Sequence, residues 1–73
     1  MKYNKTAKEM LKAHNFNLFK ENEKEIIYVA RDCAQMYNIT FDKVNQKVIF
    51  NNVSLNIWNI DAIKQQMIEL GWE

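Results

Sequence analysis

"YNITFDKVNQKVIF" occupies residues 37 to 50 and alternates on both sides of a turn. Tyr37, Ile39 and Phe41 take every second place against Asn38, Thr40 and Asp42; beyond the polar "VNQ", Val48 and Phe50 answer from a returning run. A period of two, with β-branched and aromatic residues on one side, marks a strand with one buried and one wet face. Two such runs around a short polar turn make an antiparallel hairpin. The same β-branched and aromatic character extends backward through "FNLFKE" (16–21), the turn "NEK" and "EIIYVAR" (25–31), and forward to "KVIFNNV" (47–53). The middle of the chain therefore reads as a three- to four-stranded antiparallel meander with an apolar face that a helix must cover.

Both ends of the chain change to a helical period. In "TAKEMLKAHNF" (6–16), Thr6 and Glu9 form a capping box that starts a helix over Ala7 to His14. Ala7, Met10, Leu11 and His14 share one side of it, and Asn15 suits the left-handed position that ends it. In "NIWNIDAIKQQMIELGWE" (56–73), Asn56 is the N-cap, Leu55 and Ile60 form a hydrophobic staple, and Gly71 is the stop. Ile57, Ile60, Ile63, Met67 and Leu70 make the stripe expected to face the sheet. Trp58, Ala62, Gln65 and Glu69 fall on the other side at about 100° per residue. On that register Ile63→Asp unfolds the domain and Gln65→Asp is silent. The expected fold class is α+β in one domain over residues 1–73: an N-terminal helix, the meander, and a C-terminal helix packed on the sheet.

Composition narrows the function. Seventy-three residues lie near the lower limit for a self-sufficient core, so a partner is worth seeking. No apolar run approaches the roughly 20 residues that span a bilayer, and nothing in MKYNKTAKEM marks the chain for secretion, so a cytoplasm is expected. The single cysteine, Cys33, cannot form an internal disulfide, and with His14 alone it falls short of a structural zinc site. His14 reads as a partly buried packing residue rather than a general base, and Cys33 as an inert small hydrophobe. There is no glycine-rich phosphate loop, no H-E-x-x-H and no paired metal spacing, so neither catalysis, a metal nor a cofactor is expected.

The two terminal stretches carry a resemblance. "TAKEMLKAHNF" and "DAIKQQMIELGWE" (61–73) resemble short phage and prophage proteins of Gram-positive bacteria that begin near TAKEMFEELGY and end near AINKQIEELGW. The match covers about a third of the chain, with Asn15 where that group has glycine and His14 where it has leucine. The resemblance implies a mobile-element protein, a class whose small members often inhibit host machinery, CRISPR effectors and other defence systems among it. The asparagine-, isoleucine- and lysine-rich composition, without proline, agrees with translated AT-rich DNA.

The expected function is non-catalytic inhibition of a host protein, foremost a defence nuclease complex, inside the bacterial host cell. Trp58, Ala62, Gln65, Glu69 and Trp72 are the expected protein-binding surface, because tryptophan is enriched at interface hot spots. A second copy of the chain is an equally admissible occupant. The alternative is a small nucleic-acid-binding accessory protein of a mobile element. There Lys2, Lys5, Lys8 and Lys12 would follow a phosphate backbone while Phe19, Tyr28 or Tyr37 stacks bases, although the net charge is only +1.

Overall fold

The computed structural model describes residues 5–32, 34–53 and 57–72, with the side chains of all of these except Asp32 and Trp58. The order is α1 (Ala7–Lys12), β1 (Asn17–Glu21), β2 (Glu25–Asp32), β3 (Gln35–Asp42), β4 (Lys47–Asn51) and α2 (Ile57–Glu69). The strands form one antiparallel sheet in the order β1-β2-β3-β4, with Ile39 opposite Phe50 and Phe41 opposite Val48. This is the α+β meander that the alternation predicts.

Each helix stops as its sequence dictates. At the start of α1, Thr6 Oγ1 accepts from the Glu9 amide at 3.2 Å and Glu9 Oε1 accepts from the Thr6 amide at 2.9 Å, completing the capping box. Regular helix ends at Lys12, two residues before His14. Asn15, at φ +70°, then lets the Phe16 amide donate to the Leu11 carbonyl at 2.9 Å, while the Asn15 amide donates to that of Lys12 at 3.0 Å. The same closure ends α2: Gly71 at φ +78°, Trp72 amide to Met67 carbonyl at 2.8 Å, and Gly71 amide to Ile68 carbonyl at 3.0 Å. In both the left-handed residue turns the next side chain back onto the last turn. Phe16 thereby joins Leu11 in the core, and Trp72 lies with Met67 half-buried against it. The predicted cap Asn56 and staple residue Leu55 lie outside the described residues.

The core occupies one side of the sheet. Ile26, Tyr28 and Ala30 of β2 and Ile39 and Phe41 of β3 meet Leu11, Phe16, Ala62 and Ile63. The Tyr28 and Phe41 rings stand edge to face, with centroids 6.0 Å apart. The helices run antiparallel. Glu69 Oε2 accepts from the Ala7 amide, one of the donors a helix start leaves unsatisfied, at 2.8 Å, while Met10, Ala13 and His14 border Asp61 towards the other end. His14 itself is exposed there, not part of the packed stripe.

The rotation of α2 departs from the hydrophobic stripe. Ile57 is 81% exposed and Ile60 41%, whereas Ala62 is 0% and Gln65 7% exposed, with Asn59 and Gln66 buried beside them. Of the expected stripe, Ile63 is buried and Met67 and Leu70 are half-buried. The cause is that α2 packs on both α1 and the sheet, and the buried amides of Gln65 and Gln66 are supplied with partners. Tyr28 Oη donates to Gln66 Oε1 at 2.5 Å and Gln65 Nε2 donates to Glu69 Oε2 at 2.8 Å. Hydrogen-bonded amides can occupy the interior at little cost, and a hydropathy stripe does not register them.

Two measurements check this packing. Ala62→Asp buries an unpaired charge and should unfold the domain, while Ile57→Asp should change stability by less than about half a kcal/mol in urea titration. The reverse result would restore the isoleucine stripe. The Tyr28 hydroxyl is pushed up to about 12 by burial, then by the Glu69 and Glu21 carboxylates. The folded state thus holds its proton where the unfolded chain releases it, so stability is intact below about pH 10 and falls between about pH 10 and 12, by roughly 2–3 kcal/mol. Tyr28→Phe should cost about 1–3 kcal/mol at neutral pH by stranding Gln66 Oε1, and should remove that alkaline loss.

Candidate protein-binding face

With the inner side of the sheet committed to the helices, alternation places Ile27, Val29 and Arg31 of β2, Met36, Asn38 and Thr40 of β3, and Ile49 of β4 on the outer side. Cross-strand pairs confirm the row: Ile27 opposite Thr40, Val29 opposite Asn38, Arg31 opposite Met36, and Thr40 opposite Ile49. β1 contributes through a bulge. Leu18 pairs with Tyr28 and Lys20 with Ile27, so Phe19 is an extra residue with no opposite number. Its ring is 70% exposed and borders Ile27 and Val29.

The result is a groove along β2. Ile27, Val29 and Arg31 form its floor, Phe19 one wall and Met36 the other, with Asn15, Asn17, Asn38 and Thr40 supplying amide and hydroxyl groups. Met36 is 47% and Ile49 50% exposed, which extends the apolar surface towards β4. Arg31 is exposed and, among the described residues, in no salt bridge; the pair that is formed, Lys20 with Glu25 at 3.6 Å, lies towards the other end of β2. A clustered apolar surface of this kind on a small domain, unlike scattered single residues, makes the outer side the candidate binding face.

The surface expected from the sequence is not assembled. Ala62 and Gln65 are buried in the packing of α2, so neither can meet a partner. Glu69 is exposed, but its carboxylate is held by the Ala7 amide and Gln65. Trp72 is half-buried over the core by the closure at Gly71. The Trp58 side chain lies outside the described residues.

The nucleic-acid alternative is also dispersed. Lys2 and Cys33 lie outside the described residues; Lys5, Lys8 and Lys12 are exposed. Lys8 and Lys12 line one hollow together, but Lys8 also shares another with Glu21 and Glu69, and Lys5 lies apart, bordering Met10, His14 and Asp61. Of the three proposed stacking rings, Tyr28 is buried and bonded to Gln66, Tyr37 packs half-buried against the core, and Phe19 alone stands on the outer face. Among the described residues no three of His, Cys, Asp and Glu converge as metal ligands, and no helix is long and apolar enough to cross a membrane.

Sequence reasoning passed over the outer face, although a signal was present. Residues 26 to 30, Ile-Ile-Tyr-Val-Ala, are apolar without interruption. A run of that kind is typical of a strand covered on both faces, and here the helices cover one. No protein-family model, no curated protein and no solved structure matches the chain.

Proposed function

We propose that this chain is a non-catalytic protein of phage or prophage origin that binds a host protein through the outer face of its sheet and blocks that protein's work, with a defence nuclease complex the foremost target. The observation that carries the binding reading is the uncovered apolar side of β2, flanked by the exposed Phe19 and Met36. The phage origin and the inhibitory role rest on the resemblance at residues 6–16 and 61–73. The groove supports binding in preference to chemistry: among the described residues it offers apolar side chains, neutral amides and one guanidinium, and no carboxylate, imidazole or thiol to move a proton.

Affinity capture from a low-GC Gram-positive lysate, with the wild-type chain beside Phe19→Ala, tests the reading. The wild-type chain should retain one host protein in stoichiometric amount. Phe19→Ala should weaken that complex by about 2 kcal/mol or more while changing folding stability by less than about half a kcal/mol. Nucleic acid recovered without protein would replace this reading by the nucleic-acid alternative. A captured nuclease that keeps full activity in the presence of the chain would remove the inhibitory part.

A further inference from the structure

We infer that the outer groove takes an extended peptide segment of its partner, with apolar side chains seated between Phe19 and Met36 and one Asp or Glu side chain on Arg31. This rests on the protein-binding reading above and adds the chemistry of the occupant. Charge is the first argument. Among the described residues, Arg31 is the one charged residue lining the groove, no carboxylate accompanies it and nothing neutralises it. A guanidinium on an apolar floor is matched best by a planar carboxylate accepting two hydrogen bonds. The Lys20–Glu25 pair, towards the opposite end of the strand, leaves that demand untouched.

Shape and hydrogen bonding specify the rest. The floor follows one strand, so Ile27, Val29 and Arg31 project at the two-residue repeat of a β-strand, roughly 7 Å. An extended segment lying along β2 repeats its own side chains at the same interval. An apolar side chain over Ile27 and Val29 then sets the acidic one two or four residues away, at Arg31. Asn17 and Asn38 flank this line, and each carries both donors and an acceptor, which is what a peptide backbone needs from its surroundings. A single nucleic-acid strand is matched less well, because successive bases need successive aromatic platforms and a track of cations. Among the described residues the groove holds one of each.

Selection of a random displayed peptide library on the full chain, followed by titration of the selected peptides, tests this. The expected peptides carry Asp or Glu two or four residues from an apolar side chain. They should lose about tenfold or more in affinity for Phe19→Ser and for Arg31→Glu, with unchanged thermal unfolding of both variants. Replacing the acidic residue by lysine should restore binding to Arg31→Glu. Selected peptides that lack an acid, or that ignore Arg31→Glu while still losing affinity for Phe19→Ser, overturn the inference and leave the protein-binding reading standing. Peptides indifferent to both variants, or no selected peptide, overturn it and remove the outer face as the binding surface. A native chain that sediments as a dimer and becomes monomeric on Phe19→Ser would show a second copy to be the occupant instead.

Discussion

Two short helices can cover one face of a four-stranded sheet and no more. Four strands at about 4.8 Å span close to 20 Å, the width of two helices of about 10 Å laid side by side. α1 and α2 use their whole width on the side of Ile26, Tyr28, Ile39 and Phe41, and the smallest dimension of the molecule, 17 Å, is that of two layers. None of the described helices lies on the opposite side. The outer face is therefore a consequence of the arithmetic of layers, and its apolar character is a choice made by the residues at 19, 27, 29, 36 and 49.

Much of the fold was legible because it is encoded locally. The capping box at Thr6 and Glu9, the left-handed stops at Asn15 and Gly71, and the pairing of Ile39 and Phe41 with Phe50 and Val48 each depend on neighbours in sequence or on a period of two. The rotation of α2 was not legible, because it is decided across the chain. Gln66 is held inside by Tyr28, 38 residues away, and the carboxylate of the exposed Glu69 is tied to the Ala7 amide, 62 residues away. A hydropathy stripe treats Gln66 as solvent-facing and Ile57 and Ile60 as buried. Tertiary hydrogen bonds reversed that ranking.

The surface expected on α2 loses Ala62 and Gln65 for a related reason. The value of tryptophan as an interface anchor points to α2, whose Ala62 and Gln65 are interior. The clear alternation at residues 37 to 42 implies one apolar face for the sheet. β2, the strand beside it, does not alternate, and its unbroken apolar run was the sign of a second surface. Phe19 was harder to place, because the bulge that sets its position is a feature of pairing with β2, and single-sequence periodicity does not contain it.

The distribution of polarity points to a face, not an edge, as the place of contact. An open sheet has two unpaired edges that invite strand addition, and proteins blunt them with bulges, lysines and short strands. Both edges here carry such devices. β1 is five residues long, bulged at Phe19 and ends in Lys20 and Glu21; β4 is also five residues long, begins at Lys47 and is followed by Asn52 in the left-handed conformation. The outer face carries no comparable protection across Ile27, Val29 and Met36. Under the proposed function, guarded edges beside an unguarded face direct a partner onto the flat of the sheet. There apolar contact would supply the affinity, and the guanidinium of Arg31 the orientation.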